Sequence, residues 1–428
     1  MPIEYDLVII GATELGCRMA RRAASIGARV ALVEQSVTPE PALRYRAVIR
    51  APWPAIPAND QASWLDLKVQ DDALELSAES LQIAGVDYIA NGGTFVQKPI
   101  HGFQVADRLL RSSHYISALQ GDRIVPLGLG HIDCLRPESI VNQWFELTGQ
   151  RVAIVGERPV GVELAMALRS SGAEVMLVVP TPQILPLVKR TFSDRVQMGL
   201  EVVGVEVWVG QSYESQSIRD RIAHCDTVVL ATSRAKLLPE RFGLRSLNRS
   251  AMKQNRLQLV IHGDDLTDNV AAMAQVGIEK ILKPWSQKRM KSSGHLAGLA
   301  AAWVHGPIVP SKKQTTTQKI IDLQGVSLDE GRLWYQVGVT QAGRIVEAYF
   351  VGDRAIEWSG IISLAIAAKM SLLDLMSLAL PDGTQSALAS HWLEEWELQA
   401  RSPLWHELYL DWLGFIRRRS TLPTTRDR

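Results

Sequence analysis

The chain has 428 residues, 46% of them apolar and 21% charged, with 46 basic against 45 acidic side chains and a formal net charge of +1. That composition is globular and exceeds one ordinary core, so two or three packed domains are expected; the near-neutral balance, with no basic run threaded by aromatics, excludes a broad nucleic-acid surface. Cys17, Cys134 and Cys225 stand far apart, none with a second cysteine near it, which points to no metal site and to a reducing, cytoplasmic setting.

Glu4 and Asp6 precede the first apolar run and a glycine turn follows it, so no signal peptide is expected at this end. The stretch "YDLVIIGATELGCRMARRAASIGARVALVEQ", from Tyr5, reads as strand, turn, apolar-periodic helix and second strand, a βαβ unit that closes on Glu34. Residues 38–68 carry Pro39, Pro41, Pro52, Pro54 and Pro57 and are expected to be irregular. A second βαβ unit, "RVAIVGERPVGVELAMALRSSGAEVMLVVP", opens at Arg151. "DTVVLATS", from Asp226, reads as a buried strand, and "RLQLVIHGDDLTDNVAAMAQVGIEKIL", from Arg256, as a strand running into a helix; this alternation predicts parallel sheets. From about Pro310 the pattern changes to short strands joined at Gly343. An apolar stretch from Gly360 follows; it contains Lys369 and Asp374 and so reads as a buried amphipathic helix, not a membrane span. The tail from His391 reads as helical. Trp392, Leu393 and Trp396 make one apolar stripe, and Trp405, Leu408, Tyr409, Trp412, Phe415 and Ile416 a second, ending at Arg417 to Arg419. Such a face either packs on the chain's own C-terminal domain or docks on a protein partner or membrane surface.

In a dinucleotide turn the first glycine permits the bend, the second lets backbone approach the pyrophosphate, and the third lets helix and strand pack closely. Gly11 and Gly16 fill the first and third roles, with Ala12 beside them. Thr13 holds the second position, and Glu14 brings a carboxylate to a helix N-terminus that would otherwise attract phosphate. Glu34 ends the second strand, where an acid bonds an adenosine ribose. In the second turn Gly156 and Gly161 keep the fold, but Glu157, Arg158 and Pro159 stand between them. The following strand ends in Val179-Pro180, without the acid expected for NAD or an arginine suited to a 2′-phosphate. That turn is read as a retained scaffold without nicotinamide nucleotide, the alternative being an arginine clamp on a displaced phosphate.

The order of these motifs resembles the pyridine nucleotide-disulfide oxidoreductases, the class of glutathione reductase, lipoamide dehydrogenase and mercuric reductase. The residues that carry the likeness are the first turn with Glu34, "VGVELA" of the second turn, the D-x-x-x-x-A-T strand from Asp226 to Thr232, Gly263-Asp264 before a helix, and "YFVGDRAIEWSGIISLAIAAKMSLLDL". The tail "WHELYLDWLGFIRRR" resembles mercuric-reductase-like flavoproteins of cyanobacteria. The resemblance implies an α/β fold with two Rossmann-like domains, one FAD-type and one a degenerate NAD(P)-type, and a C-terminal α+β dimerisation-type domain. The implied divisions are 1–150 and 251–305 for the FAD-type domain, 151–250 for the second, 306–385 for the interface domain and 386–428 for the tail. It further implies a homodimer, and FAD held at Gly11, Ala12, Thr13, Gly16, Glu34, Gly263 and Asp264. On a purely structural reading the glycines only close a crossover, Glu34 is a surface acid and Asp264 a helix cap.

The chain departs from that family at its chemistry. Residues 36–70 hold no cysteine pair and no lysine before Lys68 to partner Glu163, and Leu380 precedes Pro381 where the family has histidine. Dithiol chemistry and a catalytic residue are therefore not expected. Three functions stay open: a divergent FAD flavoprotein of unknown substrate; a catalytically inactive pseudo-oxidoreductase, without cofactor, serving interaction or assembly beside a membrane or large complex; and a direct NAD(P)H dehydrogenase, which needs the second turn to work despite Arg158.

Overall fold

The computed structural model describes residues 4–97, 101–130, 132–235, 237–246, 248–259, 270–282, 292–296, 301–305, 320–327, 332–378, 383–400, 411–413 and 415–417. The chain divides into two compact units, residues 1–290 with 294–301, and residues 291–293 with 302–428.

The first unit begins β1 (Leu7–Ile10), α1 (Glu14–Ser25), β2 (Val30–Val33). Both strands are apolar at every position and buried throughout, the pattern of parallel strands covered on both faces. In α1, Leu15, Met19, Ala20 and Ala23 recur at spacings of three and four and form the face turned to the sheet. Next come α2 (Glu40–Arg50), α3 (Gln61–Glu75), α4 (Ala78–Ile83) and β3 (Val86–Ile89), then an antiparallel meander of β4 (Thr94–Val96), β5 (Gly102–Val105) and β6 (Arg108–Leu110), and β7 (Tyr115–Ser117). The expectation of an irregular segment over 38–68 is corrected here. Pro39 and Pro41 sit at the start of α2, where a missing N–H is harmless, and Pro52, Pro54 and Pro57 fall in the short connection to α3.

After a short α5 (Pro137–Ile140) the second region runs β8 (Arg151–Val155), α6 (Pro159–Ser170), β9 (Glu174–Val179), α7 (Arg190–Val202), β10 (Glu206–Val209), α8 (Gln216–Ala223) and β11 (Thr227–Leu230). Its sheet has the order β10-β9-β8-β11, all parallel. The chain then returns through α9 (Arg249–Gln254), β12 (Leu257–Leu259) and α10 (Val270–Leu282), completing the first sheet in the parallel order β12-β7-β1-β2-β3. The second region is thus inserted between two strands of the first sheet.

The last sheet of the chain holds β13 (Ser292–Leu296), β14 (Ala301–His305), β15 (Ile320–Ser327), β16 (Leu333–Thr340) and β17 (Ile345–Val351), in the order β13-β14-β17-β16-β15, the last three lying wholly in the second unit. The last three pair antiparallel, and β16 turns into β17 through Gly343 at φ +79°. The apolar stretch read as one helix is two, α11 (Ala355–Ala368) and α12 (Leu372–Met376). Lys369, at φ +59°, ends α11, and a reciprocal capping box of Ser371 with Asp374 starts α12. The final helix, α13 (Gly383–Ala400), sends Trp392 into the core, its ring 4.8 Å from Trp358 and 5.4 Å from Tyr335. The first apolar stripe of the tail is therefore core. Of the second, Trp405, Leu408 and Tyr409 lie outside the described residues, while Trp412, Phe415 and Ile416 are exposed. Among the described residues no helix is long and apolar enough to cross a membrane. Replacing the buried Trp392 by alanine should cost about 3–5 kcal/mol in urea unfolding; an unchanged midpoint would remove it from the core.

Candidate functional site

The first turn is closed by its own groups. The Gly11 N–H donates to Val33 O at 2.8 Å and the Ala12 N–H to Glu34 O at 3.2 Å, tying the end of β1 to the end of β2. Gly11 has φ +107°, and a Cβ on Gly16 would lie 2.0 Å from Gly11 O, so both positions require glycine whatever the turn binds. Thr13 is the N-cap of α1: its Oγ1 accepts from the Gly16 N–H and donates to Ala118 O, each at 3.1 Å. Glu14, the first residue of α1, is only 4% exposed. Its carboxylate accepts from Arg18 Nε at 2.8 Å and forms an ion pair with Arg46 of α2. Arg18 also faces Asp72 at 3.5 Å and Glu75 at 3.7 Å on α3. A negative charge sits where the helix dipole favours one, and it belongs to the chain.

Glu34 stands half-buried at the end of β2 and accepts from Tyr88 Oη at 2.9 Å; burial and Glu34 together hold the Tyr88 phenol above its usual range. Gln35 and Ser36 follow in the left-handed region, and Gln35 Nε2 secures this bend by donating to Gly93 O at 3.1 Å and Arg241 O at 3.0 Å. Gly263 and Asp264 lie outside the described residues. Cys17 is buried in α1, its Sγ 3.5 Å from Ala12 O, and burial followed by Glu14 pushes its thiol up to about 12, which leaves no thiolate for exchange at neutral pH.

The second turn has the same glycine logic. A Cβ on Gly156 would meet Ala231 O at 2.4 Å, and one on Gly161 would meet Gly156 O at 3.0 Å. Arg158 is the N-cap of α6 with no side-chain capping bond, and Pro159 is the first helical residue. The loop after β9 folds back here: Leu185 N–H donates to Glu157 O at 2.9 Å, with Ile184 and Leu185 buried. From the other side Tyr45 of α2, fully buried, donates to Val160 O at 3.1 Å. Glu163, the family's acid on this helix, is buried, while Lys68 is exposed on α3 beside Trp64.

Between the two regions the outgoing and returning chain segments meet at an antiparallel bridge of Arg123 with Arg234. Glu138 pairs with both guanidinium groups, and Arg123 also donates to Thr232 O at 2.7 Å. Elsewhere, a groove of about 700 Å³ opens at the amino ends of β8, β9 and β10, lined by Arg151, Arg169, Glu174, Glu206 and Arg221. Ligands of open α/β sheets bind beyond the carboxyl ends, so this groove is not the dinucleotide cleft. Among the described residues no three His, Cys, Asp or Glu side chains gather as a metal site.

Residues 119–238 match the family model described as pyridine nucleotide-disulphide oxidoreductase. The HOCl-induced flavoprotein disulfide reductase RclA of Escherichia coli superposes with a TM-score of 0.68 at 15% identity, over 90% of this chain and 99% of that one. A Cu(II) complex of a cysteine-to-serine mutant of that protein gives 0.70 at 14% identity, over 92% and 99%. Over residues 119–238 the chain is similar to the pyridine nucleotide-disulphide oxidoreductases, and over nine tenths of its length it shares the fold of RclA. Glutathione reductase of Nostoc sp. strain PCC 7120 is 24% identical over 231 residues, which are 48% of this chain and 49% of that protein, so the chain aligns with about half the length of this curated relative. The α/β fold with two Rossmann-like regions and an antiparallel C-terminal sheet is the fold that this chain shares with RclA.

Set against the family pattern, the structure brings Gly11, Ala12, Thr13, Gly16 and Glu34 together at the carboxyl end of the first sheet. Two participants escaped the sequence reading. Arg46 is one arginine among several in α2, and Tyr88 lies on a strand whose pairing with β2 was not read; only the unexplained acid at Glu14 hinted that a cation should approach. Burial works against the charge of Glu138, but Arg234 and Arg123 outweigh it and hold its carboxyl below the usual carboxylate value. Its contribution is therefore complete above the unfolded glutamate pKa of about 4.3 and is lost as pH falls through the lower folded value. Glu138→Ala should cost about 3 kcal/mol at pH 7, and Glu138→Gln should flatten the acid limb of a Tm-against-pH curve below pH 4; an acid limb as steep as in the unaltered protein would contradict this.

Proposed function

We propose that this chain is a pseudo-oxidoreductase, which uses the flavoprotein disulfide reductase fold as a scaffold for interaction or assembly and performs no dithiol chemistry. The observation that carries this reading is the buried Glu14 held by Arg18 and Arg46. The two guanidinium groups that could bind a phosphate here are already taken by that carboxylate, so a phosphate would have to displace a covalently attached anion. As the turn stands, its residues do not fit the pyrophosphate of FAD. At the second turn Leu185 and Tyr45 already bond the backbone around Arg158 and Pro159, which argues against NAD(P) as well.

A second reading has one observation in its favour. Glu34, with its carboxylate oriented by Tyr88, keeps the arrangement of a ribose acceptor. On that reading FAD is held at Gly11, Ala12, Thr13, Gly16, Glu34, Gly263 and Asp264, and electrons move without a disulfide. The absorbance spectrum and an FAD titration separate the two. The scaffold reading expects a colourless protein that leaves flavin fluorescence unchanged and ignores NADH and NADPH. A yellow preparation, or micromolar uptake of FAD, replaces it with the second.

The scaffold is further inferred to be a homodimer through the second unit. Helix α11 packs Trp358, Ile362 and Ala365 inward, yet its opposite side carries Leu364, 73% exposed, and Ile356; Leu373 of α12 is exposed as well. A helix apolar on all sides is one that an assembly buries. Leu364→Asp should halve the mass seen by light scattering at micromolar concentration; a single-chain mass for the unaltered protein overturns the dimer.

A further inference from the structure

We propose that Glu14 is a permanent internal substitute for a phosphate, so that removing its carboxylate reopens an anion site for diphosphate ligands of the ADP type. This rests on the reading of the first turn as closed. The parts of a phosphate site are otherwise present. The tight approach of helix to strand is intact in Gly11 and Gly16, where a Cβ on Gly16 would lie 2.0 Å from Gly11 O. Helix α1 runs for 12 residues behind the turn, and Thr13 has its hydroxyl fixed by Gly16 N–H and Ala118 O, which holds the turn in its bent form. Two guanidinium groups from different elements converge on the turn, Arg18 from one turn along α1 and Arg46 from α2. At the ribose position Glu34 retains Tyr88.

The two guanidinium groups are already engaged by the Glu14 side chain, which is 4% exposed and bonded to both. An acid buried to that degree is stable there because the dipole and two cations neutralise it. A phosphate satisfies the same three demands. The two anions therefore exclude one another, and the carboxylate, being covalently attached, is always present.

The test uses the full chain, unaltered and as Glu14→Gly and Glu14→Gln, with thermal unfolding followed in ADP and, separately, in inorganic pyrophosphate. The unaltered protein should show no shift at millimolar ADP. Glu14→Gly should melt lower than the unaltered protein without ligand, because Arg46 has lost its anion, and should gain at least tenfold in ADP affinity. Pyrophosphate should act in the same direction, more weakly because it lacks the ribose that Glu34 would bind. Glu14→Gln, which keeps the side-chain volume, should gain in the same sense and carries the test if the glycine variant fails to fold. Adding Arg46→Gln should abolish the gain. Folded Glu14 variants unresponsive to both probes overturn this inference and leave the cofactor-free scaffold standing. Uptake of FAD by the unaltered protein instead overturns the scaffold reading, since the turn is then open without any substitution.

Discussion

The first unit depends on how closely two helices approach the strands that feed them. At both turns a single added carbon would strike backbone, 2.0 Å from Gly11 O at Gly16 and 2.4 Å from Ala231 O at Gly156. These contacts belong to packing and hold whether or not a nucleotide is bound. The position between the two glycines is the one through which backbone approaches a ligand, and it tolerates a side chain without disturbing that packing. A chain can therefore place Thr13 in one turn and Arg158 in the other and keep every strand in register, which accounts for a fold that persists beside sites so altered.

What could be read in advance follows the same division. Strand and helix periods, the glycine spacings and Glu34 are local signals, and the parallel sheets follow from them. The prolines of 38–68 misled because the same residue ends a helix from within and opens one at its first turn, and composition does not say which. The break between α11 and α12 rests on the left-handed conformation of Lys369 and the cap at Ser371, details finer than apolar periodicity. Least legible were contacts over distance. Arg46 reaches Glu14 only because α2 packs beside α1, and Tyr88 reaches Glu34 only because the sheet order places β3 beside β2.

Two carboxylates in the first unit share one arrangement. Glu14 lies between Arg18 and Arg46, and Glu138 between Arg123 and Arg234. In each, charge leaves water at a cost that is recovered only when both guanidinium groups are present, so loss of one member is worse than never having buried the set. Such triads say little about total stability and much about which arrangement of neighbouring elements is allowed. Glu14 fixes α2 over the first turn, and Glu138 fixes the path by which chain leaves and re-enters the first sheet.

That path has a consequence for how the molecule is assembled. The second region leaves after β7 and returns before β12, and its two ends touch at the Arg123–Arg234 bridge. Adjacent ends are what let a folded module be inserted into, or lifted out of, a host without stretching it. The region is a cassette with a narrow neck. The host sheet could be joined directly across that neck, and the cassette could carry changes at its own turn without transmitting them to its host.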